Sequence, residues 1–121
     1  MYDTKRKNFV NKSLISFKYL VDEFEFEEPK IAFFRQENGT IIDDELMYNN
    51  KKLNKSIRIS NQYHPVDYGF EINIFPFDNY NVDKGEMLFF KLKENQDIEQ
   101  NYLIEMAEEL KQYIRAFVVK K

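Results

Sequence analysis

The 121-residue chain predicts an α+β fold, a two-layer sandwich in which an antiparallel meander sheet of four to five strands is flanked by N- and C-terminal helices packed on one face. Three observations carry this. Apolar residues recur at helical spacing near both ends of the chain. They alternate at period two through the middle, where turn-forming residues rather than further helices separate the runs. A chain of this size fits one domain, residues 1–121, with a core that buries roughly two thirds of the unfolded surface.

Residues 4–24 place Val10, Leu14, Phe17, Val21 and Phe24 on one stripe of a helix, with Asp3 or Thr4 as its cap. "KIAFFRQE" then reads as a strand, Asn38-Gly39 as a hairpin turn, and "TIIDDELMYN" as a second strand interrupted at Asp43-Asp44. Over residues 55–63, Ile57 and Ile59 point one way while Ser56, Arg58 and Ser60 point the other. Phe70, Ile72 and Ile74 repeat the pattern against Glu71, Asn73 and Phe75, which predicts a sheet with one packed and one wetter face. "EMLFFKL" is apolar at successive positions and reads as a last strand, more deeply buried or covered on both sides. A closing helix over 97–118 carries Leu103, Met106, Leu110, Tyr113 or Ile114, and Phe117 on one stripe, and opens with acids and ends with bases as the helix dipole favours.

Twelve Phe and eight Tyr, with no Trp, predict an aromatic core. The absence of cysteine excludes disulfides, thiolate metal sites and thiol nucleophiles. Neither a signal-peptide pattern nor an apolar run of membrane-spanning length occurs, so a cytoplasmic protein with no membrane association is expected. Scattered glycines at 39, 69 and 85 build no phosphate-binding loop. No cofactor and no metal is expected. "DNYNVDKGE" has Asn79, Asn81 and Asp83 at alternate positions like a calcium loop, but Lys84 replaces the glycine and Phe90 the terminal acid, so it reads as a polar connection.

His64, the only histidine, lies in "QYHPVDYG" beside Asp67, Tyr63 and Tyr68. Its ordinary pKa suits acid–base work, but adjacency within a turn is not a catalytic triad, and Pro65 with Asp67 makes an ordinary loop. Asp43 and Asp44 are consecutive, so on an extended chain their carboxyls diverge.

Charge is segregated. Residues 1–21 hold five bases and one acid, a net +4, whereas residues 22–47 carry net −7 and residues 61–88 net −4. With an overall charge of −3 and a pI of about 5.3, nucleic acid is not the expected partner. Brought to one side of the fold, the acidic segments would steer a basic partner. Tyr48, Tyr63, Tyr68 and Tyr80 stand at strand ends or loops as candidate interface anchors.

The order of these signals resembles small bacterial immunity proteins: a helix ending in "YLVDEFEFEEP", strands with "MYNN", "IRIS" and "FEINIF", and a closing "YLIEMAEELKQYI". The resemblance implies a non-enzymatic protein that binds one cognate toxin, often a basic nuclease, and occludes its active site. No catalytic residue carries over. The expected contacts are Glu23, Glu25, Glu27, Glu28, Asp43, Asp44, Tyr63, His64, Asp67 and Tyr68. The alternatives are a small hydrolase or lyase centred on His64, and a small-ligand-binding domain with an apolar pocket between sheet and helices.

Overall fold

The computed structural model describes residues 2–35, 41–62, 69–91 and 99–119. Five strands form one antiparallel sheet in chain order: β1 (Lys30–Arg35), β2 (Ile41–Asn50), β3 (Lys55–Gln62), β4 (Gly69–Pro76) and β5 (Glu86–Lys91). Before them come α1 (Tyr2–Ser16) and the single turn α2 (Tyr19–Asp22), and after them α3 (Tyr102–Tyr113), which runs on into a π-helical turn, Ile114–Val118. The predicted α+β sandwich is the fold observed. The Asn38-Gly39 turn lies outside the described residues.

Register explains the two layers. Leu46 pairs with Ile59 and Ile59 with Ile72, while Tyr48 pairs with Ile57 and Ile57 with Ile74. Directly opposed residues share a face, so these rows build one apolar surface. Phe9, Phe17 and Leu20 from α1, α2 and the turn between them, and Leu103, Met106, Leu110 and Ile114 from the C-terminal helix, pack onto it. Each fully buried side chain of this kind contributes about 1.5–3 kcal/mol. Aromatic rings are prominent in the core, with Phe70 meeting Phe9 edge-on at 6.3 Å and Tyr102 at 5.3 Å.

The first helix departs from expectation in three ways. It begins at Tyr2, upstream of both candidate caps, and it breaks between Ser16 and Tyr19. Its buried line is Phe9, Ser13, Phe17 and Leu20, one residue round from the expected stripe, while Val10, Leu14, Val21 and Phe24 flank the core. Ser13 interrupts the apolar spacing of the true stripe and so hides it. After α2, Glu25 adopts φ 66° and the Phe26 amide donates to the Leu20 carbonyl at 2.8 Å, which turns Phe26 into the core.

Two strand expectations are corrected. β2 is continuous through Asp43-Asp44; the irregularity is a bulge, because Phe34 pairs with Asp43 but Arg35 with Ile41, leaving Ile42 unmatched. β5 is neither deeply buried nor doubly covered. Among the described residues it pairs only with β4 and forms a sheet edge, with Met87 55% and Phe90 41% exposed. Tyr48, expected as an exposed anchor, is 1% exposed in the core. Phe117 leaves the core stripe because the π turn advances less per residue than the 3.6-residue repeat that placed it there.

Gln100 fixes the start of α3. It is buried in a left-handed conformation, and its Oε1 accepts from the Tyr102 hydroxyl at 2.6 Å. Tyr19 ties α2 to α3 by donating its hydroxyl to the Ala107 carbonyl at 2.7 Å.

Candidate functional site

The second face of the sheet is built from the alternate residues of the same strands, and among the described residues no helix covers it. Register sets out its rows: Phe34–Asp43–Gln62–Gly69, then Ala32–Glu45–Ser60–Glu71–Phe90, then Lys30–Met47–Arg58–Asn73–Met87, then Asn49–Ser56–Phe75. The last row is a covered corner. Asn49 Oδ1 accepts from the Ser56 hydroxyl at 2.5 Å and from the Tyr80 hydroxyl at 2.6 Å, and Ser56 Oγ accepts from the Asp78 amide at 2.7 Å. The loop that supplies Tyr80 returns over Phe75 at Gly85, where an added Cβ would lie 2.3 Å from the Phe75 ring. Burial, the main cause, raises the Tyr80 pKa.

The rest of this face has no helix over it among the described residues; Ser60 and Asn73 on it are buried by their neighbours, and Asp43, Glu45, Arg58 and Glu71 are half-buried. Asp43 and Glu45 stand two residues apart on β2 and so point the same way. Burial raises the Asp43 carboxyl to about 9, helped by a hydrogen bond to Glu45 and by the Glu45 charge, against the opposing pull of Arg58. The Asp43 carboxyl thus holds its proton more tightly than an ordinary aspartate. Its Oδ1 and the Arg58 Nε are both buried without a hydrogen-bond partner. Arg58 lies over the Phe75 ring at 5.1 Å, and Asn73 donates to Glu71 at 3.1 Å. Phe34 and Phe90 are exposed at opposite sides of this polar field.

The structure separates the expected contacts. Asp44 faces the helices, 1% exposed, and accepts from Arg6 Nε and Nη2 at 3.0 Å each. This bidentate pair joins α1 to the sheet and removes Asp44 from the surface. Glu23 binds Arg115 at 2.6 Å and Glu25 approaches Lys52 at 3.9 Å, so both acids meet bases of this chain. Glu27 and Glu28 are exposed beside the Asn49 end of β2, where the Glu27 amide donates to the Asn49 carbonyl. Asp43 lies at the other end of β2, about 20 Å away at strand rise. The acids thus form no single patch. Tyr63, His64, Asp67 and Tyr68 lie outside the described residues. The strand ends flanking them, Gln62 and Gly69, pair with each other, and Gln62 pairs with Asp43.

Sequence reading missed Glu45 and Arg58, although the period-two spacing of Asp43 and Glu45 already placed both on one face. Asn79, Asn81 and Asp83, the calcium-like positions, form a turn: Asn79 and Asn81 side chains accept from the amides two residues on. Among the described residues no group of three or more His, Cys, Asp or Glu could hold a metal, and no helix is long and apolar enough to cross a membrane.

On the helix side of β5 lies a groove of about 500 Å³. Phe89, paired with Ile72, lines it with Glu108, Glu109, Tyr113 and Phe117. Comparison with protein-family models, with curated proteins and with solved structures finds no match for this chain.

Proposed function

We propose that this chain is a non-enzymatic binding protein that covers a protein partner with the open face of its sheet. The observation that carries the reading is the asymmetry of the sheet: one face is packed by helices, whereas the other presents Asp43, Glu45, Arg58 and Glu71 between the exposed rings of Phe34 and Phe90. Exposed aromatics around hydrogen-bonding groups are the usual anchors of an interface. The resemblance to bacterial immunity proteins supports a more specific form, in which the partner is a cognate toxin whose active site is occluded in the cytoplasm.

Capture from a lysate of the source organism tests this with two baits, the wild-type chain and Phe34→Ala/Glu45→Arg/Phe90→Ala. All three positions are outside the core, so both baits should fold. One protein retained by the wild type and lost by the variant is the expected result. Equal retention by both baits contradicts the reading.

One observation favours a second reading. A carboxyl whose hold on its proton is strengthened by burial and by a neighbouring acid is also how acid–base catalysts are poised. Under that reading Asp43→Asn abolishes a turnover; under the first it only alters affinity.

A further inference from the structure

We propose that the groove between β5 and the C-terminal end of α3 is a cation–π site that seats a lysine or arginine side chain of a protein partner. The inference rests on the binding reading above and adds the chemistry of one contact.

Three aromatic rings line the groove: Phe89 from the sheet edge, and Tyr113 and Phe117 from the helix. The Tyr113 and Phe117 rings stand 5.0 Å apart, tilted by 44°. The π turn holds them there. Its wider winding, marked by the Val119 amide donating to the Ile114 carbonyl at 2.8 Å, turns Phe117 away from the core and leaves it 62% exposed. Nothing in the core requires a phenyl ring at that position.

The charge of the lining selects the ligand. Glu108 and Glu109 line the groove, and no lysine or arginine does so among the described residues. Glu86, on the adjoining strand, is a third carboxylate near enough to raise the Tyr113 pKa, after burial. The two cations of the C-terminal helix are engaged elsewhere: Lys111 lies over the Tyr19 ring at 4.8 Å, and Arg115 on the π turn binds Glu23 at 2.6 Å. The carbonyl end of a helix adds further negative potential. Ring faces and carboxylates together favour a cation on an apolar stem, which is the form of a basic side chain. The groove is contiguous with the open face through β5, where Phe89 and Phe90 point to opposite sides, so one partner wrapping the edge strand reaches both.

The test uses two tripeptides, Ac-Ala-Lys-Ala-NH2 and its uncharged norleucine isostere, with n-butylammonium as a third probe, titrated into the isotopically labelled full chain. Saturable amide shifts confined to Phe89, Glu109, Tyr113 and Phe117 are expected. The lysine peptide should bind about ten-fold more tightly than the norleucine peptide, as a partly desolvated cation–π contact implies. Phe117→Ala, at an exposed position, should abolish most of that preference and leave the thermal midpoint unchanged. Equal affinity for both peptides would show a merely apolar groove and overturn the proposal, as would the absence of saturable shifts. Binding of butylammonium with exclusion of the lysine peptide would assign the site to free amines and overturn it too. The titration needs no partner, so it separates the two claims: peptide binding without any captured protein counts against the binding reading alone, and a captured protein without peptide binding counts against the groove alone.

Discussion

The two faces of the sheet are made from neighbouring residues of the same strands, and they solve different problems. On the helix side, Leu46, Ile57, Ile59 and Ile72 are fully buried against α1 and α3. On the other side, their chain neighbours Glu45, Arg58, Ser60 and Asn73 form a polar field, in which Asn73 donates to Glu71. Even the polar residues differ by side. Ser13 and Ser56 are both 0% exposed, but the Ser13 hydroxyl, on the helix side, has no partner, while Ser56 is bonded to Asn49 and to the Asp78 amide. The helix face fixes the fold by excluding water, which frees the open face to carry groups that a core would reject.

Ile59→Ala and Ser60→Ala break this contrast most sharply. The first should cost about 3 kcal/mol by removing buried carbons and leaving a cavity, the second less than about 1 kcal/mol, as measured by urea unfolding. Similar costs would mean that the open face is a second core. Arg6→Met comes next, because it removes the bidentate guanidinium from the buried Asp44 side chain; a loss of about 2–3 kcal/mol is expected, mostly recovered in the double variant Arg6→Met/Asp44→Leu. The two buried serines should respond with opposite signs. Ser56→Ala should lose about 1–2 kcal/mol by orphaning its partners, whereas Ser13→Ala should gain up to about 1 kcal/mol by removing an unpaired hydroxyl.

The pH dependence of the open face gives a further contrast. The folded Asp43 carboxyl is raised to about 9 from an ordinary 3.8, so between those values the folded chain keeps a proton that the unfolded chain has lost. This contribution to stability is complete below the unfolded value and is lost as pH climbs toward 9. Asp43→Asn, uncharged throughout, should flatten the slope of thermal midpoint against pH between 5 and 9 and be the more stable chain at the alkaline end. Parallel slopes for the two chains would remove Asp43 from the account.

The sheet and its two-sidedness were legible because period two is a direct consequence of strand geometry: Ile57 and Ile59, and Phe70, Ile72 and Ile74, show it without ambiguity. The first helix was less legible because Ser13 occupies a core position that only tertiary packing reveals. β5 misled for a related reason: its apolar run reads as burial, yet Met87 and Phe90 spend that character on an exposed edge. At the site, sequence distance failed in both directions. Asp43 and Asp44 are adjacent in the chain and lie on opposite faces, whereas Arg58 joins Asp43 and Glu45 only through strand pairing. The acids of residues 23–28 read as one contact surface, but Glu23 and Glu25 meet Arg115 and Lys52, pairings that composition cannot foresee.

Methionine methyl resonances test the central claim most directly, since Met47 and Met87 lie on the open face and Met106 is buried on the core side of α3. On addition of a protein retained by the wild-type bait, the Met47 and Met87 signals should shift or broaden while Met106 stays in place. A Met106 response with silent Met47 and Met87 would put the contact on the helical layer and contradict the account.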